Sequence, residues 1–157
     1  MSIPTVYLGA VDWNWPHWPG RFYPEDLPED WRLAYYNTQF GCVWLPEAGC
    51  ASRAGDLAAW LAETRPGFRF LGPAGGPWAA EVECHAASGQ VSAHAPDHPD
   101  LIWFTRDTPV RALADLLRTR RADGAVYLLS QDGDLDAINR ARDLLGILGL
   151  GSGTPVG

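Results

Sequence analysis

A carboxylate, an imidazole and three indoles follow the first apolar run of the sequence within seven residues: Asp12, Trp13, Trp15, His17 and Trp18. A carboxylate or an imidazole can act as a general acid or base, and indole rings can hold a planar or sugar-like ligand. Asp12 and His17 are therefore candidates for catalysis, and the three tryptophans are candidates for ligand binding. The structural alternative is that the tryptophans pack under the turn at Phe22–Pro24 and leave His17 exposed.

A second group of polar residues follows the last two predicted strands, at Arg106, Asp107, Ser130, Gln131 and Asp132. Backbone N–H groups at a helix start, together with the fork of an arginine, bind anionic oxygens. Arg106 is therefore a third candidate for catalysis, and Ser130 and Gln131 are candidates for binding a small polar or anionic ligand. The alternative is that the aspartates cap the helices that begin here.

Three histidines and a cysteine lie in a third stretch, at Cys84, His85, His94 and His98. The spacing of His94 and His98 would place two imidazoles on one metal ion if the segment were helical. Pro96 interrupts any such helix, so a solvated loop with separate histidines is the favoured interpretation. No metal and no other cofactor is predicted.

The composition argues against several classes of function. The chain has 157 residues and a net charge of −7, and all 12 of its basic residues are arginine, which leaves no lysine for Schiff-base or P-loop chemistry. An acidic chain without a basic run is poorly suited to nucleic acid. No apolar run approaches the ~20 residues of a bilayer span, and no signal peptide is recognisable. We expect a cytoplasmic protein without nucleic-acid or membrane partners.

Short apolar runs alternate with segments of helical period, which predicts an α/β fold with a mainly parallel sheet and outer helices. Five runs are predicted as strands: Thr5–Gly9, Cys42–Leu45, Phe68–Leu71, Leu101–Thr105 and Ala125–Leu129. Helices are predicted from Pro28, from an N-cap at Ser52, from Thr108–Pro109, and from Asp134 to Gly149. Residues 73–99 show no helical period, and a hairpin of Glu81–His85 with Val91–His94 is expected there. The prediction is one domain over 1–148, with a flexible tail over 149–157.

The block Trp18-Pro19-Gly20-Arg21-Phe22-Tyr23-Pro24 closes the stretch that begins at Tyr7, and the next predicted helix carries Tyr35-Tyr36. These motifs resemble the opening of the DUF72 (YecE-like) family, and the segment from Gly124 to Ala141 is similar to its last strand and helix. The resemblance implies a TIM barrel, but eight strand–helix units need about 250 residues. We therefore expect a shortened, diverged member: an incomplete barrel of about five parallel strands, in which residues 73–99 replace the missing units.

The polar residues that the family carries at its strand ends are replaced in this chain. A Glu and an Asn after the second strand correspond to Trp44 and Pro46, and an Asn pair after the last strand corresponds to Ser130–Gln131. Because the strand ends form the active site of a barrel, this replacement favours a non-catalytic binding or interaction protein. The alternative is an enzyme of unknown reaction that acts on a small polar or anionic ligand, phosphorylated or sugar-like.

The missing strands also bear on oligomeric state. An incomplete barrel leaves strand edges and apolar surface that must be covered, either by the 73–99 segment or by a second copy of the chain. A homodimer is therefore expected.

Overall fold

The computed structural model describes residues 5–46, 57–119 and 124–152. In this part of the chain seven strands form one sheet: β1 Thr5–Val11, β2 Cys42–Trp44, β3 Arg69–Pro73, β4 Val91–His94, β5 Leu101–Phe104, β6 Ala125–Ser130 and β7 Gly151–Ser152. The main order is β4-β3-β2-β1-β6-β5, and every pair is parallel. All five predicted strands are present, so the expected α/β fold with a parallel, incomplete barrel-like sheet is confirmed.

Five α-helices accompany the strands in the described residues: α1 Arg32–Gln39, α2 Leu57–Glu63, α3 Pro77–Cys84, α4 Val110–Arg118 and α5 Leu135–Leu148. Short 3-10 turns lie at Glu29–Trp31 and Ala86–Ser88. α5 begins where predicted, because the carboxylate of Asp134 accepts a hydrogen bond from the N–H of Ala137 at 2.9 Å. It ends at Gly149, whose φ of +66° suits a residue without Cβ. None of these helices is long and apolar enough to span a bilayer.

Two other predicted helix starts have different outcomes. Ser52, the predicted N-cap of α2, lies outside the described residues. Thr108 does not cap α4, because its hydroxyl accepts the N–H of Thr105 at 2.9 Å and Pro109 stands at the helix start. Thr108 therefore stabilises the turn that connects β5 to α4.

The two faces of the sheet are buried in different ways, because alternate residues of a strand point to opposite sides. The helices cover one face, where Val6, Leu8 and Phe70 belong to the main core. The inner face of the barrel carries a second cluster, made of Cys42, Trp44, Leu71, Leu101, Tyr127 and Leu129. This second cluster consists of strand residues alone.

Ring contacts across the inner face show how strongly the sheet curls. Neighbouring strands lie about 4.8 Å apart, so residues three strands apart in a flat sheet would be separated by about 14 Å. Trp44 on β2 and Trp103 on β5 are three strands apart, yet their ring centroids are 5.1 Å apart. His94 on β4 and Tyr127 on β6 are four strands apart, with centroids at 5.5 Å. The sheet is a half-barrel whose two ends approach each other.

The expected hairpin between residues 73 and 99 is wrong. Residues of its first arm form α3, and its second arm is β4, which runs parallel to β3. Pro77 stands in the first turn of α3 after an extended Gly76, a favourable helix start, and Trp78 is the one buried residue of that helix. A helix with a single buried side chain has no apolar period to detect. The segment therefore completes the third strand–helix unit with α3 and adds a strand, β4, that leads to β5 without a helix.

The predicted flexible tail also differs from the structure. The chain forms β7 beyond Gly149, and Gly151 and Ser152 pair with Thr5 and Val6 of β1. Residues 153–157 lie outside the described residues.

Candidate functional site

The loop between β1 and α1 carries the first group of predicted site residues, and it packs onto the loop after β6. The carbonyl oxygen of Gly133 accepts the Nε1–H of Trp18 at 2.8 Å and lies 2.8 Å from Nε2 of His17. Gly133 has a φ of +65°, and a Cβ at this position would come within 2.5 Å of the Trp15 indole. Because the backbone angle and the lack of space both exclude a side chain, this close contact between the two loops requires glycine at position 133.

Trp18 and Trp13, two of the predicted ligand-binding residues, are part of the main core. Trp18 is 0% exposed, and the rings of Phe22 and Tyr36 lie 4.9 and 6.1 Å from its own. Trp13 is 5% exposed and meets Trp60 edge to face at 4.9 Å. These rings are surrounded by other side chains, which favours the packing interpretation of the loop. His17, by contrast, is exposed.

Asp12 stands directly after β1 in a left-handed backbone conformation, with a φ of +60°. Its N–H donates to the carbonyl oxygen of Trp44 at 2.9 Å, and its carboxylate accepts the N–H of Trp13 at 2.6 Å. Burial raises the pKa of the Tyr23 and Tyr36 phenols, and the negative charge of Asp12 adds to that rise. The carboxylate therefore lies near enough to these phenols to affect their pKa, while the backbone joins β1 to β2.

The loop after β6 satisfies its own polar groups. Ser130 is 0% exposed, and its hydroxyl accepts the N–H of Gly133 at 3.0 Å. The carboxylate of Asp132 accepts the N–H groups of Arg106 and Asp134 at 2.9 and 3.1 Å. Burial opposes the ionised form of Asp132, but these hydrogen bonds outweigh it and hold the pKa below the usual value. The position at which an anionic ligand was predicted is thus occupied by a carboxylate of the chain itself.

A cavity of about 490 Å³ opens at the carboxyl ends of the strands. Its lining consists of Val11, Trp44, Pro96, Asp97, Trp103 and Gln131, and we call it the mouth cavity. The indoles of Trp44 and Trp103 meet nearly at right angles, with an interplanar angle of 82°. Gln131 is the predicted site residue found in this lining. The three predicted catalytic residues lie elsewhere in the loops that surround it.

Sequence reasoning missed most of this lining. It interpreted Trp44 as the loss of a strand-end carboxylate that could plug the mouth together with Trp15, and it interpreted Trp103 as a buried strand residue. The available signal was the alternation of the strands, because Val11, Trp44 and Trp103 share the inward face and lie near the carboxyl ends. Pro96 and Asp97 gave no signal, since their place depends on where the chain crosses after β4.

That crossing is a six-residue connection, residues 95–100, between β4 and β5, which we call the strap. The Nε1–H of Trp103 donates to the carbonyl oxygen of Pro96 at 2.8 Å, which holds the strap beside the mouth cavity. The ring of His98, within the strap, lies 5.2 Å from the ring of His94, the last residue of β4. His85 lies 3.8 Å from Glu81 on α3. Among the described residues, no three His, Cys, Asp or Glu side chains gather as a metal site requires.

A second cavity of about 490 Å³ opens on the helix-covered side of the sheet, between α1 and α2. Glu29, Asp30 and Glu63 stand in its lining with the indoles of Trp13 and Trp60. Its ionisable lining is acidic, and it opens between the outer helices and the loop after β1 instead of on the inner face of the barrel. The mouth cavity is therefore the better candidate for a ligand site of barrel type.

Comparison with known proteins gives one match. The model of a family described as a protein of unknown function, DUF72, matches residues 7–74, which run from β1 to the end of β3. No curated protein and no solved structure gives a significant match. The matched segment contains the Trp-Pro-Gly-Arg-Phe-Tyr-Pro block, whose Trp18 and Tyr23 are buried in the core. The N-terminal part of the chain, residues 7–74, is thus similar to the DUF72 family, and this match covers less than half of the chain.

Proposed function

We propose that this protein is a non-catalytic binding protein that holds a small, uncharged, planar or sugar-like ligand in the mouth cavity. The observation that carries the proposal is the corner formed by Trp44 and Trp103 at the carboxyl ends of the strands. One ring presents a face and the other an edge, and the cavity is of the size that small-molecule sites have. A flat ligand face fits such a corner.

The polar groups of the lining favour an uncharged ligand. Asp97 is the ionisable residue of the lining, and the amide of Gln131 can both donate and accept a hydrogen bond. Hydroxyl or amino groups on a ligand would suit these two side chains, whereas a phosphate would meet the carboxylate of Asp97. The anionic ligand considered from the sequence is therefore the less favoured class.

The positions of the predicted catalytic residues favour binding over catalysis. The carboxylate of Asp12 lies near the buried phenols, and His17 is held by the carbonyl of Gly133. The N–H of Arg106 is bonded to Asp132, and its side chain is exposed. A general acid and base must lie within reach of one bound ligand, and these three residues belong to other contacts.

The test compares matched pairs of probes by isothermal titration at pH 7.5. The pairs are adenosine with adenosine monophosphate, and methyl glucopyranoside with glucose 6-phosphate. We expect the uncharged member of at least one pair to bind. Its phosphorylated partner should bind at least about tenfold more weakly, since like charges about 4 Å apart repel by ~1 kcal/mol in bulk water and by ~4 kcal/mol near a protein surface. Asp97→Asn should abolish this difference.

The control distinguishes binding in the mouth cavity from nonspecific binding to exposed aromatic side chains. Trp103→Ala should weaken binding about tenfold, as the loss of an aromatic contact does, while Trp31→Ala should leave it unchanged. Trp31 is 64% exposed and lies outside the cavity lining. The proposal fails if no probe binds, if the phosphorylated members bind better, or if both variants behave alike. Turnover of a bound probe, followed by NMR, would favour the enzyme alternative.

The homodimer and the cytoplasmic location also stand as proposals. The strap joins the two end strands of the half-barrel, and its bond to Trp103 places chain across the gap. Three large apolar side chains remain exposed in the described residues: Trp31 at 64%, Leu116 at 41% and Ile147 at 81%. Light scattering at micromolar concentration tests the dimer, and a single monomeric species would exclude it.

A further inference from the structure

The strap has contacts on two sides. It is bonded to Trp103 beside the mouth cavity, and its His98 packs against His94 of β4. On the cavity side, the carbonyl of Pro96 is bonded to the indole of Trp103, and Pro96 and Asp97 form part of the lining. A displacement of the strap would therefore remove two of the six residues that line the cavity.

On the other side, His94 ends β4 and is half-buried on the inner face. Its Nε2 lies 3.0 Å from the hydroxyl of Ser92, and its ring packs against Tyr127 at 5.5 Å and against His98 at 5.2 Å. His98 belongs to the strap, and its Nδ1 accepts the N–H of Asp100 at 3.1 Å. That bond requires an unprotonated Nδ1.

We propose that the strap is a pH-sensitive cover of the mouth cavity, released when His94, which packs against His98 of the strap, takes up a proton. Acid then weakens ligand binding, because the released strap withdraws Pro96 and Asp97 from the lining. The second half of this inference rests on the proposed function, whereas the release of the strap does not.

The groups packed around His94 set the direction of the effect. From the strap it faces His98 and Asp100, and from β6 it faces the phenol of Tyr127; Arg69 of β3 lies further along, near Tyr127. Burial lowers the pKa of His94, the charge of His98 lowers it further, and Asp100 partly opposes both.

A lowered pKa in the packed state means that the released state binds protons more readily. The packed strap is fully favoured above the ordinary histidine pKa of about 6.5 and loses stability as the pH falls below it. The carboxylate of Asp100, 3.8 Å from Nδ1 of His98, offsets part of the effect at His94.

The first experiment needs no ligand. The indole N–H of Trp103 reports on the strap through its bond to Pro96, so its NMR resonance is followed in the ¹⁵N-labelled full chain from pH 8 to 5.5. We expect the resonance to titrate and to lose protection from exchange in acid. His94→Gln keeps a partner for Ser92 but cannot be protonated, so the titration should flatten. His85→Gln, outside this cluster, should titrate like the parent chain.

A resonance of Trp103 that is indifferent to pH, or one that titrates unchanged in His94→Gln, would overturn the proposal. His98→Asn provides a second variant, because its side-chain oxygen can replace Nδ1 as the acceptor for Asp100. Because the charge of His98 lowers the pKa of His94, its removal should move the titration of Trp103 to higher pH, and the proposal stays testable if His94→Gln fails to fold.

The second experiment tests the coupling to binding. The Kd values of adenosine and of methyl glucopyranoside are measured at pH 7.5 and 5.5, where ordinary carboxylates stay ionised. We expect about fivefold weaker binding at pH 5.5, the lower end of usual coupling between sites, and no such change in His94→Gln. A pH-independent Kd beside a titrating Trp103 would refute the coupling. If neither probe binds at any pH, the proposed function fails, and the Trp103 titration still decides whether the strap is released.

Discussion

Tryptophans occupy two regions near the carboxyl ends of the strands, with opposite consequences. In the loop after β1, Trp18 is 0% exposed and bonded to the carbonyl of Gly133. In the strands, Trp44 and Trp103 point inward and line a cavity. The loop thus links the ends of the neighbouring strands β1 and β6 and packs into the core, whereas on the inner face Trp103 stays partly exposed beside Trp44, which is 6% exposed.

The contrast shows that residue type and proximity to a strand end do not by themselves identify a ligand site. What separates the two regions is the supply of covering side chains. The loop is overlaid by Phe22, Tyr23 and Tyr36, while the missing barrel units leave the inner face with a six-residue strap. Trp103 therefore stays partly exposed at a place where the fold has no further element to cover it.

The largest expected effect concerns Trp18. Trp18→Ala should lower the free energy of unfolding by about 3–5 kcal/mol, because it empties a packed core and removes the bond to Gly133. Urea denaturation followed by circular dichroism measures this change. Trp31→Ala, at an exposed position, should stay within about 0.5 kcal/mol of the parent chain. The contrast between the two regions would break if Trp103→Ala cost as much stability as Trp18→Ala.

A smaller effect is expected at the contact between the two loops. Gly133→Ala should destabilise the protein by about 3 kcal/mol, through the left-handed backbone and the clash with Trp15. Gly75→Ala is the matched control, since Gly75 also has a positive φ, of +84°, but its added Cβ would meet nothing within 4 Å. It should cost about 1 kcal/mol. Equal losses in thermal or urea unfolding would mean that the Trp15 contact contributes nothing.

The smallest expected effect concerns Ser130. Ser130→Ala should cost about 1–2 kcal/mol, because the buried N–H of Gly133 loses its acceptor. Ligand affinity at the mouth cavity should not change, since Ser130 is fully buried and outside the lining. Unfolding and probe titration on the same sample measure both. A loss of affinity with unchanged stability would return Ser130 to the ligand-binding role predicted from the sequence.

Much of the fold could be predicted from the sequence because its strands are continuous apolar runs. Five strands, the cap at Asp134 and the stop at Gly149 each depend on residues close together in the chain. α3 was missed because Trp78 is its one buried residue, and its start after Gly76–Pro77 was interpreted as a turn. Local patterns reveal elements that bury a stripe of side chains, and α3 does not.

The candidate site was much less predictable, for a physical reason. Gln131 was identified in the lining, but Trp44 and Trp103 meet only because the sheet curls across three strands. Asp97 reaches the cavity only because the strap crosses there. Curvature and crossing depend on the whole sheet, and the spacing of residues along the chain contains no record of them.

The pairing of β1 with β6 extends over six residue pairs, from Thr5 with Ala125 to Ala10 with Ser130, and the pairing of β6 with β5 separates it from the gap that the strap crosses. No ladder joins β4 to β5 in the described residues. Strand–helix units could be inserted at residues 95–100, or removed there, without a change in the register of the existing ladders. The strap is thus the connection at which the number of strands in the barrel can change while the pairing of the other strands is kept.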